Sequence, residues 1–368
     1  MAASGNQAVS AAAYEVSSSS GERDVLLRRL ADLAVIPPGR MTSQERDLID
    51  TVMASAVSRL DEWSRRRLAE RIAQLPEGPA ELTLALARDT IEVAEPVLRN
   101  SLGLKASDLI QIIRDAGAAH QLAISERKSL PGAVVDALID YGSSESVCGM
   151  LANPAAEIAP RSIETLVRRS ASEPAFQPLV MARPELTIRL AQLMFWWVSP
   201  EARKEILARY TIERRVLHMA LNDVLEAVAP DGADDALQAT LSLIRPPTAM
   251  PKAHLARLAD LANMQLRDEF TAEFALAGRI RPETAFRIIG DLGGEPLAIY
   301  AKATGLTRKE FSDLAVTIAL SRGVDQPARA VVERLTAIFD AISTDRADLV
   351  LHCWDSAISA EAEIPLDF

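Results

Sequence analysis

The sequence predicts an all-α protein: helical-hairpin repeats forming an α-solenoid, followed by a C-terminal helical module. Three observations predict it. Apolar residues recur at helical spacing along nearly the whole chain, helix-start signals precede those apolar faces, and neither a run of alternating β-branched residues flanked by turn signals nor an Asn-Gly hairpin dipeptide occurs.

Residues 1–20 are small and polar, without the basic start and continuous apolar stretch of a secretory signal, and are expected to be a disordered tail. Residues 21–228 form the expected repeat domain. Over 43–60, Leu48, Ile49, Val52, Met53, Ala56, Val57 and Leu60 make one apolar face, preceded by Thr42 with Glu45 three residues later. In that capping box each side chain satisfies the other residue's free amide. Asp61 caps a helix carrying Trp63, Leu68, Ile72 and Leu75, and Ser107 caps one carrying Ile110 and Ile113. Ser199-Pro200-Glu201 is a cap, a first-turn proline and an acid that complements the helix dipole.

Four short apolar segments close on Arg88, Arg127, Asn153 and Arg183, at intervals of 39, 26 and 30 residues, and each is followed by a second helix-like stretch. Such a period fits a helical hairpin. Pro131, Pro154 and Pro184 follow the last three, stopping one helix and starting the next. A hairpin this small cannot bury its apolar face alone, so neighbours must stack, which leaves an extended surface of the kind that binds proteins or peptides. A compact irregular helical bundle is the alternative.

The strongest loop signals, Ala229 to Asp235 and Arg245 to Pro251, place a linker at 229–251. A C-terminal module is expected over 252–357, with helices at 253–266, 272–277, 282–289, 296–303, 308–320, 326–339 and 347–357 and a capping box at Thr307 and Glu310. Residues 358–368, with Glu361, Glu363 and Asp367, are expected to form an acidic tail.

Composition bounds the function. At 368 residues and 49% apolar content the chain supports a real core. Its net charge of -11 opposes non-specific binding to nucleic acid or anionic membrane. The most apolar longer window, Leu186 to Val198, stops at Ser199-Pro200, short of the roughly 20 residues that span a bilayer, so no membrane insertion is expected. Cys148 and Cys353 are the only cysteines and have no partner at ligand spacing, which points to neither a disulfide nor a metal site and to a reducing compartment, the cytoplasm.

His120 to Arg127, Leu130-Pro131, Val134 to Leu138, Leu151 to Ile158, Ala182 to Leu186, Phe195 to Arg203, and Gly294 to Ala298 leading to Gly305 to Thr307 together resemble the repeat core of the bacterial family defined by domain of unknown function 2336. The resemblance covers about residues 80–320. It implies a HEAT-like helical-repeat protein with no established activity and brings no catalytic residues with it.

The expected function is a non-enzymatic protein-binding scaffold or regulatory adaptor acting through the surface of residues 80–215. Arg88, Arg127, Asn153 and Arg183, at equivalent helix ends, either bind helix C-terminal carbonyls within the stack or form a ladder that recognises acidic groups. Trp196 and Trp197 lie in the densest aromatic cluster, Met194 to Trp197. Adjacent helical side chains diverge by about 100°, so both cannot face one core, and tryptophan is enriched at interface hot spots.

Histidine phosphotransfer or kinase-linked signalling is the alternative, with His120 at a helix start as the candidate and His352 read as buried among apolar neighbours. The basic runs Arg65 to Arg67, Arg168-Arg169 and Arg214-Arg215 are expected to be solvated faces. A HEAT-like nucleic-acid-binding protein, with Trp63 beside the triple arginine, is a lesser alternative that the overall acidity opposes. No P-loop, Gly-x-Ser-x-Gly, HxxxH or HExxH pattern is present, and Gly293-Gly294 reads as an interhelical turn. No catalytic residue, cofactor or metal is therefore assigned; an enzyme with an unfamiliar site remains open, as do the partner and the oligomeric state.

Overall fold

The computed structural model describes residues 40–76, 78–211, 250–321 and 329–361, together with 25, 27–34, 36 and 224. The expected tail at 1–20 and, apart from Met250 and Pro251, the expected linker at 229–251 lie outside the described residues. Among the described residues the protein is all-α, with one isolated parallel bridge between Leu130 and Ala156 and no strand. The chain divides into two compact units, 1–185 and 186–368.

The first unit contains α1 (Ser43–Val57), α2 (Glu62–Ile72), α3 (Ala80–Ala87), α4 (Ile91–Asn100), α5 (Ala106–Asp115), α6 (Ala118–Ser125), α7 (Gly132–Tyr141), α8 (Ser144–Ala152), α9 (Pro160–Arg169) and α10 (Phe176–Ala182). Local chemistry sets their starts. The Thr42 amide donates to Glu45 Oε2 at 2.9 Å and the Glu45 amide donates to Thr42 Oγ1 at 3.3 Å, while Asp61 accepts the Ser64 amide at 2.8 Å. The expected cap at Ser107 is displaced to Lys105, because the Asp108 carboxylate accepts the Lys105 amide at 3.0 Å and α5 begins at Ala106.

These helices stack in two rows. In one, α4 packs on α2, α6 on α4, α8 on α6 and α10 on α8; in the other, α3 packs on α1, α7 on α5 and α9 on α7. The buried faces explain the stacking. Val93, Ala94, Val97 and Leu98 of α4, and Val147, Met150 and Leu151 of α8, recur at helical spacing and are at most 2% exposed.

The second unit contains α11 (Ile188–Met194), α12 (Pro200–Arg209), α13 (Lys252–Asn263), α14 (Arg267–Gly278), α15 (Pro282–Gly290), α16 (Glu295–Ala303), α17 (Arg308–Ser321), α18 (Arg329–Ala341) and α19 (Thr344–Glu361). Helix α16 is the hub, packing on α15, α17, α18 and α19. The expected helix at 272–277 extends back to Arg267 because α13 ends at Asn263. There Gln265 takes a left-handed φ of 56° and the Leu266 amide closes onto the Leu261 carbonyl at 3.1 Å. Helix α19 continues to Glu361, into the segment expected to be a tail; residues 362–368 lie outside the described residues.

Gly293 and Gly294 do form the turn between α15 and α16, with Gly294 at φ 79°. Beside this turn lies a buried charge cluster. Arg203 of α12, 9% exposed, meets Asp291 and Glu295 at 2.9 Å each, donates from Nε to the Phe195 carbonyl at 3.0 Å, and lies over the Phe195 ring.

Tyr300 stacks on Phe274 with ring centres 3.8 Å apart and donates its hydroxyl to the Phe274 carbonyl at 2.8 Å. Burial pushes its pKa well above the ordinary phenol value. A Cβ on Gly278 would strike the edge of this ring, with Cζ at 3.0 Å. Gly278→Ala is therefore expected to destabilise the second unit by about 1–3 kcal/mol, the usual cost of overpacking, measured by urea denaturation; an unchanged midpoint would place slack around Tyr300.

Candidate partner-binding surface

The residues that close successive repeats join one helix end to the next. Arg127, just beyond α6, donates from Nη1 to the Leu98 carbonyl and from Nη2 to the Ser101 carbonyl at 2.6 Å, both at the end of α4. Asn153, the C-cap of α8, donates to the Ser125 and Arg127 carbonyls at 2.8 and 2.7 Å, and its Oδ1 accepts the Ala155 amide. Arg183, the C-cap of α10, donates to the Asn153 and Ala156 carbonyls at 2.9 Å each and holds the Glu185 carboxylate.

The last carbonyls of a helix have no partner within it and carry the negative end of its dipole, so a donor from the next repeat satisfies them. Arg127 and Arg183 are 6% and 7% exposed, and burial draws the Arg127 pKa below the usual arginine value. Of the two roles considered for Arg127, Asn153 and Arg183, the geometry shows the carbonyl role; an acid-recognising ladder would need their donors outside.

Arg88 differs from these three because it caps α3, in the other row. The ladder position one repeat before Arg127 is Ser101, as far ahead of Arg127 as Arg127 is ahead of Asn153, which accounts for the odd first interval. Arg88 is exposed and donates to Gln111 Oε1 of α5 at 2.7 Å. One turn along α5, the Arg114 guanidinium lies 4.7 Å over the ring of Tyr141, the last residue of α7 and 51% exposed. Among the described residues no carboxylate meets Arg114. Arg88, Gln111, Arg114 and Tyr141 thus form an exposed strip across α3, α5 and α7. A guanidinium stacked on an aromatic face keeps its edge donors directed outward, in a geometry that matches a carboxylate.

Sequence reasoning missed Gln111, Arg114 and Tyr141. The available signal was an aromatic residue at the end of α7, off the stripe made by Val134, Val135 and Leu138, and an arginine three residues beyond Gln111.

Trp196 and Trp197 belong to the second unit and follow α11 in a turn, so the helical divergence expected of them does not apply. Both are half-buried. Trp196 packs 4.9 Å from Trp354 and edge-on to Phe195, and its Nε1 is buried with no hydrogen-bond partner among the described residues. The face of Trp196 is thus occupied from within the unit.

The basic runs are engaged locally. Arg65 forms a two-bond pair with Asp89 at 2.6 and 3.0 Å, Arg66 pairs with Glu70, Arg67 lies over Trp63, Arg168 pairs with Glu164 and Arg169 with Glu173. Arg214 and Arg215 lie outside the described residues. His120 donates from Nε2 to the Asp89 carbonyl at 2.9 Å, a bond that fixes a proton on that nitrogen. His352 is exposed, contrary to expectation, because Val350, Leu351 and Trp354 mark the buried face of α19 and His352 falls outside it. Among the described residues no cluster of His, Cys, Asp or Glu is arranged to hold a metal ion, and no helix is long and apolar enough to cross a membrane.

Fold and contacts together define an all-α protein whose first unit stacks its helices in two rows, one of them fastened end to end by side chains. The family of uncharacterised proteins conserved in bacteria, defined by domain of unknown function 2336, matches over residues 93–352, more than half of the chain, and the protein belongs to that family. No curated protein and no solved structure matches the chain.

Proposed function

We propose that the protein is a non-enzymatic, cytoplasmic scaffold or regulatory adaptor whose helical repeats hold the Arg88–Gln111–Arg114–Tyr141 strip against an acidic segment of a partner protein. The observation that carries this reading is Arg114 stacked on exposed Tyr141 with no carboxylate of the described chain against it. Tyrosine and arginine dominate interface hot spots. Supporting it, α3, α5 and α7 pack on α4, α6 and α8, which the carbonyl ladder ties together, so little ordering cost remains to be met on binding. The phosphotransfer alternative gains no such observation, since His120 Nε2 is occupied by the Asp89 carbonyl.

Crosslinked affinity capture of the tagged protein from its native lysate, quantified by mass spectrometry, tests the reading. Arg114→Ala with Tyr141→Ala is expected to reduce capture of the partner by about tenfold or more, while thermal unfolding stays within about 0.5 kcal/mol of the parent because both side chains are exposed. Equal capture by both forms removes the strip from the interface.

A further inference from the structure

The second unit carries an apolar basin that the strip does not use. Helices α13, α14 and α15 enclose about 410 Å³ walled by Leu261, Leu266, Phe270, Phe286, Ile289 and Leu292. Several of these side chains face solvent: Leu292 is 90% exposed, Phe286 71% and Leu266 40%. Large clustered apolar exposure of this kind marks an interaction site.

We propose that this basin is a homodimer interface, occupied by the same surface of a second copy. A two-fold interface needs a patch that is complementary to itself, and two features meet that need. The first is shape. The surface holds a hollow, floored by Phe270 and Ile289 and open at Gly290, where an added Cβ would meet nothing within 4 Å; beside it stand Phe286 and Leu292 as projecting knobs. The knobs of one copy fill the hollow of the other.

The second feature is charge. Arg267 of α14 lines the basin, and Glu283 sits one turn before Phe286 on the same face of α15. Both are exposed, and neither forms an ion pair among the described residues. A two-fold axis sets Arg267 of each copy against Glu283 of the other. A small ligand suits the site less well, because bound small molecules are largely enclosed, and a side chain as open as Leu292 encloses nothing.

The charge of -11 on each copy opposes association at long range, and salt screens this repulsion as it screens the Arg267–Glu283 pairs. Sedimentation velocity on the full chain, from about 1 to about 200 µM, reads the equilibrium directly. The expected result is a concentration-dependent dimer. Phe286→Ser or Leu292→Ser should weaken it by about tenfold or more. Gly290→Arg should weaken it likewise without disturbing the fold, since the substitution points into open space. Arg267→Glu should weaken it and Arg267→Glu with Glu283→Arg should restore it. A monomer throughout the range, or a dimer indifferent to all of these variants, overturns the proposal. Neither outcome bears on the partner strip, which lies in the other unit.

Discussion

Arg127→Ala is expected to destabilise the first unit by about 3 kcal/mol, with the midpoint of urea denaturation falling accordingly. The guanidinium donates to two carbonyls at the end of α4, with only 6% of the residue exposed. Charged hydrogen bonds contribute about 1.5–3 kcal/mol each, and the acceptors left behind sit where water has little access. Among the described residues no carboxylate balances this cation; the aligned carbonyls of α4 supply the negative potential instead. Arg127→Met separates packing from hydrogen bonding, because it keeps the aliphatic stem and leaves the carbonyls unpaired; a loss of about 2 kcal/mol is expected to remain. Hydrogen exchange should place the loosening at the amides of α4 to α8, the span that Arg127 and Asn153 tie together. If Arg127→Met proves as stable as the parent, the ladder is packing alone and its hydrogen bonds contribute nothing net.

The ladder also shows which features of the fold were legible in the sequence. Helix starts were, because their determinants sit within one turn: Thr42 with Glu45, Asp61, and Ser199 with Pro200 all cap the helices expected of them. Stops were harder. Gln265 ends α13 in a left-handed conformation without glycine, and nothing local announced it. Row membership was not legible, since Arg88 and Arg127 close similar apolar segments yet lie in different rows, and only packing separates them. The same holds for the strip. Arg88 was singled out, but Arg114 and Tyr141 are 27 residues apart and become neighbours only when α7 packs on α5. Conversely Trp196, conspicuous by composition, is covered by Trp354, a contact across more than 150 residues that no spacing rule reaches.

Arg203→Met is expected to be the most damaging single change in the second unit, at about 3–5 kcal/mol. Arg203 pairs with both Asp291 and Glu295, and the Glu295 residue is 5% exposed. Removing it leaves two carboxylates together in a site poorly reached by water, which costs both their attraction to the guanidinium and their repulsion of each other. The site also fixes the backbone. Asp291 Oδ1 accepts the Gly294 amide at 2.9 Å, holding the turn that launches α16, the hub of the unit, while Arg203 Nε anchors the Phe195 carbonyl. The charge argument has a specific consequence. Glu295→Gln in the Arg203→Met background should recover about 1–2 kcal/mol, whereas Glu295→Gln alone should destabilise, so that a double-mutant cycle returns a coupling of opposite effects. Arg209→Ala serves as the contrast, because its pair with Glu205 is about half exposed and its loss should leave the midpoint unchanged. Additive losses for Arg203 and Glu295 would mean that the two residues support the turn independently and that their pairing is incidental to it.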